Sequence, residues 1–286
     1  MCIRDRYNPV DYPGYGLSTY NDHEDGSGIC MATWHRPILN LRPGYHPFAD
    51  EASVSGLRHF PADTHILAWL ENKRFEFDVV TDWELHHEGA SVLDGYKTVL
   101  TTSHPEYHTL ESLNAFRDYR NNGGNLIYLG GNGFYWRVAL HPEINGLIEL
   151  RRAEGGLRAW AADPGEYYHA ADGTYGGLWR RNGRPPNELV GVGYTVQGDF
   201  EGTHYRRTNA SYEANLAWMF DGIEDEVIGD FGFSGGGGLA FELAAGRVVV
   251  GLLSATCAGD VGLSLIHISE PTRPRLSSYA VFCLKK

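Results

Sequence analysis

Residues 98–133 read TVLTTSHPEYHTLESLNAFRDYRNNGGNLIYLGGNG, and the folding of this stretch decides the architecture. Thr98 to Thr102 is a β-branched run with strand character that opens into the polar loop Ser103 to His108. Thr109 is placed to cap a helix whose apolar stripe is Leu110, Leu113 and Phe116, and Gly123-Gly124 closes it. Leu126 to Leu129 is a short apolar strand that stops at Gly130-Gly131-Asn132-Gly133. Upstream, Asp63 or Thr64 caps a helix carrying Ile66, Leu67, Trp69 and Leu70 and ending near Lys73. Phe75, Phe77 and Val79 then alternate with Glu76 and Asp78 as a strand does. Helix, strand, strand, helix, strand predicts an α/β fold with a mostly parallel sheet and helices on both faces.

Around this centre the pattern loosens. Tyr7 to Pro43 is loop-rich, with strand character only at Ile38 to Leu41. Beyond Tyr135 strands and Gly-rich turns take over, Val190 to Val196 and Arg247 to Leu253 being the clearest strands, Ser211 to Phe220 one more helix, and Gly235 to Gly238 a tight loop. One domain with a β-rich insertion in its second half is the economical reading.

The 286 residues carry 24 Lys+Arg against 36 Asp+Glu, a net charge of −12, and 42% of them are hydrophobic. That is globular composition with no basic face for phosphates and no apolar run long enough for a membrane helix, so nucleic-acid and membrane partners are not expected. A back-translation of Met1-Cys2-Ile3-Arg4-Asp5 is the reverse complement of one that encodes Leu263-Ser264-Leu265-Ile266-His267. Both ends look like translated sequencing-library adapters, so residues 6–262 are taken as a domain fragment and 1–5 and 263–286 as extraneous. Cys30 and Cys257 then remain, too far apart in sequence for a C-x-x-C site and expected as small core residues.

In open α/β sheets ligands bind beyond the carboxyl ends of the strands. The polar clusters so placed are Tyr20-Asn21-Asp22-His23, Ser103 to His108, Gly130 to Arg137, and His141-Pro142-Glu143. In extended backbone, residues two apart project to one face, so an imidazole and a carboxylate of a His-Pro-Glu triplet can converge on one ion. The triplet occurs twice, at His104-Pro105-Glu106 and at His141-Pro142-Glu143. Neither a Gly-x-Ser-x-Gly elbow, nor His-Glu-x-x-His, nor a phosphate-binding Gly-rich loop is present. The Gly-rich turn around Asn132 can bring backbone N–H groups to an anion or carbonyl, and a phenol becomes a useful anionic ligand when a strong Lewis acid such as Fe3+ displaces its proton.

Ser103-His104-Pro105-Glu106-Tyr107, Tyr128 to Arg137, Gly176-Gly177-Leu178-Trp179-Arg180 and Leu189 to Gly193 together resemble the C-terminal domain of the N,N-dimethylformamidase large subunit family, over most of Tyr20 to Glu242. The resemblance implies a class I glutamine-amidotransferase-like (flavodoxin-like) sheet, in which this chain has the Gly130 to Gly133 turn where such sheets carry a nucleophilic Cys. It implies a mononuclear Fe3+ held by two Tyr and a Glu with a His close by, hydrolysing a small formamide to formate and an amine. On this sequence the His and Glu match His141 and Glu143, and Tyr20 matches one phenolate. The second is open between Tyr107 and a different set using His65. Glu242 is the candidate general base, with His104 and Asn132 as further catalytic candidates. A small subunit, a hetero-oligomer and a cytoplasmic location are implied as well. The rivals are another amide or carbohydrate-linked hydrolase on the same sheet and a metal-free binding module.

Overall fold

The computed structural model describes residues 17–35, 60–129, 132–152, 160, 162–198, 205–228, 239–244 and 280–284. The segments expected at Ile38 to Leu41 and Arg247 to Leu253, with Gly130-Gly131, Gly235 to Gly238 and Cys257, lie outside them. In chain order the regular elements are β1 (Met31–Thr33), α1 (Phe60–Asn72), β2 (Phe77–Thr81), α2 (Asp82–Glu88), β3 (Thr98–Leu100), β4 (Tyr107–His108), α3 (Leu110–Asn121), β5 (Asn125–Ile127), β6 (Trp136–Leu140), β7 (Leu147–Leu150), α4 (Pro186–Val190), β8 (Val192–Gly198), β9 (Tyr205–Arg206), β10 (Val227–Ile228), β11 (Leu239–Ala244) and β12 (Ala280–Leu284).

One four-stranded sheet has the order β2-β12-β3-β5. Successive strand residues face opposite sides, and both sides are covered. Val80, Val99 and Cys283 join Leu85, Leu93, Leu113 and Phe116 in one core. Leu100, with Phe77, Val79 and Leu284, packs against Ile66, Leu67 and Leu70 of α1 in another. The helix on the first side is well specified locally: Thr109 Oγ1 accepts from Ser112 N at 3.2 Å, and Ser112 Oγ accepts from Thr109 N at 3.1 Å. The short helix α2, absent from the sequence reading, carries its own capping box, with Thr81 as cap and Glu84 answering it.

The expectation of a mostly parallel, flavodoxin-like sheet is overturned. Among the described strands only β3–β5 and β4–β6 pair in parallel, whereas β1–β7, β6–β7, β8–β11, β9–β10 and both pairings of β12 are antiparallel. The periodicity argument followed β2, β3 and β5, which share one direction because β2 and β3 are each antiparallel to β12. It did not see that β12, from the stretch 263–286, inserts between them. Nor did it see β6 and β7, which form a hairpin in a second sheet ordered β1-β7-β6-β4. The helix expected at Ser211 to Phe220 is two 3-10 turns, Asn209–Tyr212 and Ala217–Phe220. Arg207 stacks 4.2 Å from both the Tyr212 and Phe220 rings and donates to the Ser211 carbonyl at 3.3 Å, which competes with helical bonding there.

The β7 end of the second sheet is held by a buried carboxylate. Glu149 Oε1 accepts from Ala170 N at 2.9 Å and Arg151 Nε at 2.6 Å, while Oε2 accepts from Ala171 N at 2.8 Å. His169 is buried beside it, its Nδ1 3.6 Å from Asp172 Oδ1. Burial pushes its pKa below the ordinary imidazole value; the charges of Asp172 and Glu149 oppose this and those of Arg137 and Arg151 add to it. The unfolded chain takes up this proton near pH ~6.5 and the folded chain only at lower pH, so the contribution to stability is full above about 6.5 and is lost as pH falls below it. His169→Gln should therefore flatten the pH dependence of urea unfolding between pH 7.5 and 5; an unchanged slope would show that His169 is not held neutral.

Candidate active site

The loop from Thr101 to Glu106 leaves the carboxyl end of β3, beside its parallel partner β5. Two anchors shape it. From the first turn of α1, Asp63 Oδ1 accepts from Ser103 N at 2.8 Å and Ser103 Oγ at 2.7 Å. Burial pushes the Asp63 carboxyl up to about 6, against the Ser103 hydrogen bonds and the His104 charge. On the other side the turn 132–136 docks onto the loop backbone. Phe134 N donates to Pro105 O at 2.8 Å, and Tyr135 N and Trp136 N both donate to Glu106 O, at 3.0 and 2.9 Å. The chain then pairs in parallel, Tyr107 opposite Trp136.

Within this clamp the first His-Pro-Glu triplet closes on itself. Glu106 N donates to His104 O at 2.9 Å, a tight turn around Pro105. The side chains meet, His104 Nε2 standing 3.0 Å from Glu106 Oε2 with both residues buried. Just beyond, Tyr107 Oη is in direct hydrogen-bond contact with Tyr20 Oη, brought from the N-terminal loop. Arg152, buried just past the end of β7, donates from Nη2 to Tyr107 Oη at 2.6 Å. Its guanidinium lies 4.1 Å from the Tyr20 ring centre and 4.9 Å from that of Trp136. Asn132 is buried on the docking turn. His108, on the opposite side of β4, stacks on Phe134 at 4.6 Å; burial pushes its pKa down to about 3, so it is neutral.

The structure therefore joins Tyr20 to Tyr107 and His104 to Glu106, two pairs that are contiguous in the chain at Glu106-Tyr107, with Asn132 on the turn that docks onto this loop. It does not bring His141 and Glu143 there. They sit in the turn of the β6–β7 hairpin, five residues beyond Trp136, about 16 Å along an extended strand. Glu143 is exposed, and His141 Nδ1 accepts from the Glu143 and Ile144 amides at 3.2 and 3.0 Å, which makes it a turn cap. Glu242 lies on β11 opposite Tyr194, next to a register shift. His65 is half-buried on α1. The sequence reading gives the ligand pair to the second triplet, His141 and Glu143, and only His104 of the first a catalytic role; the first follows a parallel strand and the second joins a hairpin, a difference that lies in strand pairing. Arg152 escaped notice, although the Arg151-Arg152 pair directly after the strand Leu147–Leu150 is a visible signal.

Among the described residues no three His, Cys, Asp or Glu side chains gather in a metal-binding arrangement. The donor set fits a hard ion in kind, being phenols and a carboxylate.

A phenol pair, Tyr107 buried and Tyr20 half-buried, and a buried acid–imidazole pair thus follow the end of a parallel strand. The sequence profile of the family described as N,N-dimethylformamidase beta subunit-like, C-terminal, matches residues 6–250. The chain is 40% identical over 235 residues to the N,N-dimethylformamidase beta subunit of Paracoccus aminophilus, covering 82% of this chain and 30% of that protein. Against the protein of the same name from Alcaligenes sp. the identity is 40% over 230 residues, 80% of this chain and 29% of that one. The chain belongs to the N,N-dimethylformamidase beta subunit-like C-terminal family, and it spans less than a third of the length of these relatives.

Asp63→Ala leaves two Ser103 donors without their acceptor and should lower the unfolding free energy by about 1–3 kcal/mol. Chemical denaturation at pH 7.5 reads this; a variant as stable as the parent would show that the loop is held without α1.

Proposed function

We propose that the chain carries the catalytic centre of an iron-dependent amidohydrolase that cleaves the C–N bond of a small formamide such as N,N-dimethylformamide, giving formate and an amine. The observation that carries this reading is the Tyr20–Tyr107 phenol contact beside the Glu106–His104 pair, in a chain whose relatives are named for that substrate. Tyr20, Tyr107 and Glu106 are the residues we assign to a mononuclear Fe3+, with Glu106 in the place that the sequence reading gave to Glu143. Bound there, the ion supplies Lewis acidity, polarising the amide carbonyl and acidifying a water.

The chain's own residues supply the remainder. Two phenolates and one carboxylate offset the charge of a trivalent ion, which leaves a site suited to a neutral amide. His104, oriented by the Glu106 carboxylate, carries the proton to the departing nitrogen. Asn132 offers a side-chain amide to the substrate carbonyl, and Glu242 is the general base in this scheme. Tyr135 and Trp136, both buried in the cluster that holds Tyr107, wall the site and limit water, while the Phe134 ring belongs to the core on the other side. A small subunit and a hetero-oligomer agree with the beta-subunit naming of the relatives. A cytoplasmic location goes with this reading of the relatives; among the described residues no helix is long and apolar enough to cross a membrane.

Elemental analysis and visible absorption of protein prepared with ferric iron test the reading. The expected result is about one iron per chain and a phenolate-to-iron charge-transfer band that Tyr20→Phe weakens, that Glu106→Gln reduces at least tenfold through lost iron, and that Glu143→Gln leaves intact. A colourless, iron-free chain, or a band abolished by Glu143→Gln and untouched by Glu106→Gln, contradicts it.

A further inference from the structure

We propose that Arg152 is the positioning residue that holds Tyr20 and Tyr107 together as a pair; its consequence for metal binding rests on the iron reading above. The two tyrosines come from segments far apart in sequence, the N-terminal loop and β4. The strand order β1-β7-β6-β4 places both within reach of β7. On one side β7 carries β1, and Leu150 N donates to Cys30 O at 2.8 Å, tying the Tyr20 segment to it. On the other side lie β6 and then β4, each about 4.8 Å from its neighbour.

Arg152 stands two residues past the end of β7 and spans that distance with one side chain. Its guanidinium passes 4.9 Å over the Trp136 ring of β6 and reaches Tyr107 of β4, where Nη2 donates at 2.6 Å. The same planar group receives the Tyr20 ring at 4.1 Å. A single cation thus sets the position of both phenols, by a directed hydrogen bond to one and by stacking against the other. The geometry asks for a guanidinium. A lysine ammonium is a point charge on a flexible stem, and it cannot present a flat face to one ring while donating in plane to a second.

The test uses the 286-residue chain with tyrosines labelled at Cζ with carbon-13, whose chemical shift reports the surroundings of each phenol oxygen. Tyr20→Phe and Tyr107→Phe assign two of the 17 tyrosine signals. In iron-free Arg152→Met those two signals should move while the other tyrosines stay in place, a pattern that general loosening does not produce. Ferric affinity, titrated through the charge-transfer band, should fall at least tenfold, and Arg152→Lys should fall in between. If Arg152→Met does not fold, Arg152→Lys carries both readouts. Stationary Tyr20 and Tyr107 signals in the folded variant, or a ferric affinity equal to that of the parent, overturn the proposal. Moved signals in a chain whose parent takes up no ferric iron remove the iron reading alone and leave the positioning role supported.

Discussion

The carbonyl of Glu106 accepts from two consecutive amides, Tyr135 at 3.0 Å and Trp136 at 2.9 Å, and the candidate site depends on this junction. It presses the loop that follows β3 against the turn that precedes β6, and it starts the parallel β4–β6 pairing. Glu106 and Tyr107 are oriented by it directly. Tyr20 and Arg152 are then positioned by the second sheet, in which β7 lies between β6 and β1. The chemistry proposed here needs oxygens from distant parts of the chain at one point, and backbone bonds, which vary little with side-chain identity, bring them there.

The junction costs conformational strain, and packing offsets it. Phe134 has φ of 54°, in the left-handed region that residues with a Cβ rarely adopt. The ring is fully buried, stacked on His108 at 4.6 Å and edge-on to Phe116 at 5.5 Å, so the core beneath the sheet maintains the turn above it. Gly133 beside it has no room for a side chain, because a Cβ would lie 2.3 Å from the Tyr128 ring, whose hydroxyl accepts from the Gly133 amide at 2.9 Å. The Gly-Asn-Gly-Phe-Tyr-Trp sequence is in these terms a device for placing two amides over one carbonyl.

Local signals were legible in the sequence and long-range pairing was not. The Thr109 cap and the Leu110, Leu113, Phe116 stripe specify α3 because capping and helical periodicity act over a few residues. Strand direction is a property of pairs, and nothing within Val138 to Leu140 or Leu147 to Leu150 says that they form a hairpin or that β1 adds antiparallel to it. The same limit explains the two His-Pro-Glu triplets. Their composition is identical, and only the tertiary setting makes one a buried pair and the other an exposed turn cap. β12 makes a related point: five apolar residues, Ala280 to Leu284, satisfy the pairing needs of both β2 and β3, whatever helical or strand pattern lies before them.

The proposed site requires Tyr20, Tyr107 and Glu106 to surround one ferric ion. X-ray diffraction from iron-loaded crystals at wavelengths on either side of the iron absorption edge locates the metal without reference to any assumed ligand. The account predicts one anomalous peak within bonding distance of both phenol oxygens and of the Glu106 carboxylate. A peak in the β6–β7 turn at His141 and Glu143, or none near the phenols of a fully loaded chain, would contradict it.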